Sequence, residues 1–151
     1  MFSIYVTGTD TGIGKTFTSC ALLHALRGQG LRAVGMKPVA SGCERIDGAW
    51  QNEDALALQA AGEAGIAYAD INPFALEHPL APELAARDAG VEVALPPLLA
   101  AHARLLDRFD AVVVEGVGGW AAPLSASLMQ ADLVRALRLP VVLVVGLRLG
   151  C

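Results

Sequence analysis

Phe2-Ser3-Ile4-Tyr5-Val6-Thr7-Gly8-Thr9-Asp10-Thr11-Gly12-Ile13-Gly14-Lys15-Thr16 decides how the rest of the chain is read. Phe2 to Thr7 is a short β-rich run, Gly8 to Gly14 is punctuated by glycine, and Lys15 opens a run with helical spacing. Strand, tight loop and helix in that order turn backbone N–H groups and a helix N-terminus toward an anion. Lys15 neutralises phosphate there, and the Thr16 hydroxyl suits Mg²⁺, so the stretch reads as a P-loop. Its spacing is not the strict GxxxxGK[ST], because five residues separate Gly8 from Gly14. A glycine-rich turn without a ligand is the alternative, but lysine, threonine and helix follow in the order the phosphate chemistry requires.

Working outward, the spacing predicts a helix over 15–29, with Phe17, Cys20, Ala21, Leu22, Leu23, Ala25 and Leu26 on one broad apolar face. A strand is predicted over 33–37, closed by Pro38, and a helix over 53–61 capped by Asn52. Residues 62–90, broken by Pro73, Pro79 and Pro82, read as loop with short helical pieces. Helical spacing resumes from Leu95 to Phe109, with Pro96 and Pro97 tolerable in the first turn. Then come a bare apolar strand over 111–114, a helix over 129–137 and a second bare apolar strand over 141–145, of the kind buried on both faces. The alternation predicts one α/β domain over 1–151, a mostly parallel, doubly wound sheet flanked by helices. Gly8, Lys37, Glu115 and Gly146 all fall at the carboxyl ends of predicted strands, where open parallel sheets bind ligands.

Composition narrows the possibilities. The 151 residues are 54% hydrophobic and 17% charged, which suits one packed domain and excludes disorder. A net charge of −4 disfavours nucleic acid and anionic membrane surfaces as partners. The longest apolar run, Leu139 to Leu147, is too short to span a bilayer, and Met1 to Val6 lacks a basic region and cleavage site, so a cytoplasmic location is expected. Cys20, Cys43 and Cys151 form no CxxC pair and read as incidental thiols. His24, His78 and His102 are scattered, Ser41 has no base partner in sequence, and Trp50 and Trp120 read as packing aromatics.

Lysine use is a separate signal. Of 11 basic residues nine are arginine, and the two lysines, Lys15 and Lys37, both stand at the predicted ligand edge. A compact ammonium there suits point-charge contact with phosphate or a reacting group. Asp54 and Glu115 are hard oxygen donors that could complete a Mg²⁺ site with Thr16; helix-dipole complementation and a solvated strand end are the simpler readings of the two. Gly116-Val117-Gly118-Gly119 lets backbone approach a ligand closely.

Four motifs together resemble the dethiobiotin synthetase family: Thr7 to Thr16; Lys37-Pro38-Val39-Ala40-Ser41-Gly42; Asn52-Glu53-Asp54-Ala55-Leu56-Ala57-Leu58; and Val114-Glu115-Gly116-Val117-Gly118-Gly119-Trp120. A fifth, Val144 to Cys151, matches the family's next strand and the start of its following loop. The resemblance implies a P-loop NTPase-like fold and a homodimer. It also implies an ATP- and Mg²⁺-dependent ligase that joins 7,8-diaminononanoate and CO₂ into dethiobiotin, releasing ADP and phosphate. By carry-over, Gly12, Ile13, Gly14, Lys15 and Thr16 cradle phosphate, with Glu115 and Gly118 beside the nucleotide. Thr16, Asp54 and Glu115 hold Mg²⁺, and Thr11, Lys37 and Ser41 face the carbamate, with Lys15, as catalytic residues. Where the family often reads Ser-Pro-His, this chain has Ala81-Pro82-Glu83. The family's C-terminal third has no counterpart before Cys151, so the expected fold is C-terminally truncated, with an apolar sheet edge. A non-catalytic nucleotide-binding module, and another P-loop amide-forming or partition-type ATPase, are the competing expectations.

Overall fold

The computed structural model describes residues 1–147; Arg148 to Cys151, and with them the Cys151 thiol and the end of the fifth motif, lie outside the described residues. In chain order the elements are β1 (Phe2–Gly8), α1 (Lys15–Gly28), β2 (Ala33–Met36), β3 (Val39–Ser41), β4 (Glu44–Ile46), β5 (Ala49–Gln51), α2 (Glu53–Ala61) and α3 (Tyr68–Ile71). They continue with β6 (Phe74–Leu76), α4 (Pro82–Asp88), α5 (Leu95–Arg108), β7 (Ala111–Glu115), β8 (Pro123–Ser125), β9 (Leu128–Met129), α6 (Gln130–Leu137) and β10 (Val141–Val144).

The central sheet runs β10-β1-β7-β2 with every pairing parallel. Alternation along the strands sorts side chains onto two faces. Val6, Ala33, Ala111 and Val113 pack with Leu23 of α1 and Leu58 of α2. Tyr5, Val34, Met36, Val112 and Val114 pack with Leu98 and Leu105 of α5 and Leu133 of α6. Helices therefore cover both faces, as the alternation predicts. Gly35 lets α2 lie directly on β2, since a Cβ there would stand 2.7 Å from Leu58 Cβ. None of the helices among the described residues is long and apolar enough to cross a membrane.

Three expectations change. The last strand is not buried on both faces: among the described residues β10 is the sheet edge, with Val141 and Leu143 43% and 54% exposed, so of the two expectations for this strand the apolar edge holds. An apolar run alone cannot distinguish a central strand from an apolar edge strand. The apolar face of α1 is narrower than expected, because Ser19 and Leu23 are buried with Cys20, Leu22 and Leu26 beside them, while Phe17 is 80% exposed. Rows four apart on a 3.6-residue helix share one stripe, and Phe17, Ala21 and Ala25 fall on the opposite row.

Residues 38–90 also hold structure that hydropathy did not signal. Strands β3 and β6 pair in parallel, and β4 and β5 form a hairpin across Asp47-Gly48. Both turn residues have positive φ, 50° and 84°, the conformation that an Asp-Gly pair supplies in a two-residue hairpin. Trp50 on that hairpin lies under Arg45, 6.0 Å from its ring centre. His102 is a buried packing residue, paired with Ser3 Oγ at 2.9 Å, and burial holds its pKa below the ordinary histidine value.

Candidate active site

The loop between β1 and α1 turns through Gly12 and Gly14, at φ 71° and 101°, conformations costly to residues with a Cβ. Gly8 has a different task. A Cβ there would stand 2.5 Å from Ile13 Cδ1, so Gly8 makes room for the loop to fold back over the strand end. The Ile13 side chain packs toward Gly8 and Gly146, leaving only its backbone for a ligand. Lys15 Nζ reaches back across the loop to the Asp10 carbonyl at 2.7 Å. Its pKa lies below the ordinary lysine value, because burial and the neighbouring Lys37 charge outweigh Glu115, Asp54 and Asp10.

Lys37 follows β2 and Glu115 ends β7, the strand beside it, so the sheet itself brings them together. Lys37 Nζ lies 2.7 Å from Glu115 Oε1, 2.9 Å from Asp54 Oδ2 and 3.3 Å from the Gly116 carbonyl. Asp54 is delivered by α2, whose N-terminus is capped by the Asn52 side chain accepting from the Asp54 and Ala55 amides at 3.1 and 3.4 Å. Burial would raise the Asp54 pKa, but the charge and hydrogen bond of Lys37, the Thr16 hydroxyl and Lys15 together hold it below the ordinary carboxylate value.

Thr16 Oγ1 lies 2.8 Å from Asp54 Oδ1 and 2.9 Å from Glu115 Oε1. A hydroxyl has one proton, so it can donate to only one of these carboxylates at a time. The other contact brings two lone-pair oxygens together. Glu115 Oε2 is buried with no hydrogen-bond partner. An orphaned carboxylate oxygen beside crowded hard oxygens fits a Mg²⁺ site made by Thr16, Asp54 and Glu115. Among the described residues no three His, Cys, Asp or Glu side chains gather for a metal.

These groups open onto a cavity of about 630 Å³. Thr11, Gly12, Gly14, Lys15, Thr16, Lys37, Ser41, Asp54 and Gly118 line it, whereas Glu115 stands behind Lys37 and Thr16, fully buried. The segment from Pro79 to Pro82 forms part of the wall, so of the two departures from the family's Ser-Pro-His, Ala81 faces the cavity and Glu83 is not among its lining residues. Two residues contribute in ways the sequence did not signal, Asn52 by its place in the cavity wall and Gln130 altogether. Asn52 both caps α2 and lines the cavity. Gln130, fully buried at the start of α6, grips the loop after Glu115, and nothing in its sequence context marks it.

The sequence pattern of a family described as "AAA domain" matches residues 3–151. The ATP-dependent dethiobiotin synthetase BioD of Xanthomonas euvesicatoria pv. vesicatoria is 70% identical over 149 residues, 99% of this chain and 66% of its own length. The protein of that name from Xylella fastidiosa is 68% identical over 149 residues, again 66% of its length. The resemblance drawn from the motifs is thus borne out, and the chain spans about 66% of the length of these relatives.

Proposed function

The chain belongs to the AAA domain family, and from that premise we propose that it serves the ATP-dependent closure of 7,8-diaminononanoate and CO₂ to dethiobiotin, with ADP and phosphate as products. The supporting observation is the convergence of Lys15, Thr16, Lys37 and Asp54 on one cavity edge with buried Glu115 behind them, in a chain similar to proteins named ATP-dependent dethiobiotin synthetase. In this reading one substrate amine takes up CO₂ as a carbamate, and a carbamate oxygen attacks the γ-phosphoryl of ATP. The second amine then closes the ring on the mixed anhydride and expels phosphate. Homodimer formation belongs to the same proposal.

No protein nucleophile is required, so the residues act by placement and charge. The amides of Gly12, Ile13 and Gly14, with Lys15 and the Gly118 backbone, receive the phosphates. Thr11, Lys37 and Ser41 hold the carbamate, with the Lys37 ammonium offsetting negative charge on it and on the transferring phosphoryl. Mg²⁺, held by Thr16, Asp54 and Glu115, would supply further neutralisation of phosphate charge.

Phosphate release with MgATP and bicarbonate, with and without the diamine, tests the reading. Diamine-dependent release is expected, and Lys37→Met should remove it while ATP binding to folded protein persists. Parallel loss of binding and turnover would sink the role given to Lys37. ATP binding by folded wild-type chain without diamine-dependent release would instead favour a nucleotide-binding module.

A further inference from the structure

Gln130 is 1% exposed, the first residue of α6, and its carboxamide lies against the loop after β7. Its Oε1 accepts from the Val117 N–H at 2.8 Å, and its Nε2 donates to the Gly119 carbonyl at 2.9 Å and toward Thr7 Oγ1 at 3.4 Å. A flipped amide would set donor against donor and acceptor against acceptor, so these contacts fix its orientation. The Val117 N–H and the Gly116 carbonyl belong to one planar peptide unit. Gln130 holds the nitrogen end of that unit, and the oxygen end accepts from Lys37 Nζ at 3.3 Å. Gly116 permits this approach, since a Cβ there would stand 2.7 Å from Gln130 Oε1.

We propose that Gln130 is a positioning residue that holds the Gly116–Val117 peptide so that its carbonyl faces Lys37 and its neighbours Val117 and Gly118 keep their place in the cavity wall. It touches no reacting atom. Its effect passes through Lys37 and the loop, and the catalytic consequence rests on the synthetase reading above. The clasp also reaches the nucleotide side, through Thr7 of β1 and through Gly118, so loss of the carboxamide acts on ATP binding as well as on the chemical step, and the Lys37 contact is read by its own resonance.

The near-isosteric Gln130→Met variant tests this. Diamine-dependent kcat should fall on the order of tenfold or more, as small misplacements near a reacting centre do, with any rise in the KM for ATP smaller than that fall. Amide exchange at Val117 should quicken while that of Val113 in β7 does not, and the ¹⁵N resonance of the Lys37 ammonium should shift. Unchanged kcat, unchanged Val117 exchange or an unmoved Lys37 resonance in folded protein overturns the proposal. Gly116→Ala, whose methyl displaces the carboxamide, should show the same pattern and decides the matter if Gln130→Met does not fold. If wild type shows no diamine-dependent turnover, the synthetase reading fails by itself. Val117 exchange and the Lys37 resonance in either variant then uphold or overturn the clasp without reference to turnover.

Discussion

Strands β2 and β7 lie side by side and carry an oppositely charged pair at each end. At their amino ends Arg32 and Asp110 meet at 3.3 Å, with side chains 62% and 38% exposed. At their carboxyl ends Lys37 and Glu115 meet at 2.7 Å, with side chains 3% and 0% exposed. Register and strand direction are shared, so solvent is what separates the two. Asp110 works as a latch, accepting from the Arg32 amide at 2.9 Å while water screens its charge. Lys37 and Glu115 have no such screening, and burying both is costly unless each is matched. Stability alone does not explain such a pair, whereas a site that must hold phosphate and carbamate charge does.

The sharpest way to break this contrast is Lys37→Met. Glu115 then keeps a buried carboxylate without its cation, and stability should fall by about 3–5 kcal/mol. Urea unfolding at pH 7 reads it. Adding Glu115→Leu removes the orphaned charge and should restore most of the loss. A cost below about 1 kcal/mol for the single change would mean that the carboxyl end is as well solvated as the amino end.

A smaller effect sharpens the same comparison by touching Asp54, the half-buried second partner of Lys37. Asn52→Ala removes the side chain that accepts from the Asp54 and Ala55 amides. Loss of such a cap should cost about 1 kcal/mol. Frayed first-turn residues would loosen Asp54 from Lys37 and Thr16 and leave Arg32 and Asp110 untouched. Amide exchange at Ala55 and the urea midpoint together check this, and unchanged exchange there would show that packing of α2 on Gly35, not the cap, holds Asp54.

What could be read without coordinates follows the same division. The P-loop, the two lysines, Asp54 and Glu115 were legible because strand ends and helix starts carry their own signals, and parallel strands gather those ends at one edge. The β4–β5 hairpin was legible in principle from Asp47-Gly48, and the hydropathy pattern passed over it. The β3–β6 pair and the Gln130 clasp were not legible, since three-residue strands have too few positions to show alternation, and a buried glutamine looks like any helical surface residue until its neighbours are known. The apolar edge at β10 was legible from the resemblance, whereas the apolar run by itself reads as a strand buried on both faces, because Val141 to Val144 are apolar in either setting.

Asp110→Asn carries the smallest expected effect and is the control for all the others. Hydrogen bonds from the Arg32 side chain and amide, together with the Arg32 charge, hold the Asp110 pKa below the ordinary carboxylate value. A carboxylate depressed in the folded state binds fewer protons there than in the unfolded chain. Its contribution is therefore complete above the unfolded value of about 3.9 and is lost as pH falls through the lower folded value. At pH 7 the asparagine variant keeps an acceptor for the Arg32 amide and loses a charge that solvent already screens, so its urea midpoint should be inseparable from wild type. Below pH 4 the two curves should converge further, and 1 M salt should erase any difference that remains at pH 7. A large loss at neutral pH that survives salt would show that the amino end is held by a pair as strongly coupled as Lys37 and Glu115, and exposure would no longer distinguish the latch from the site.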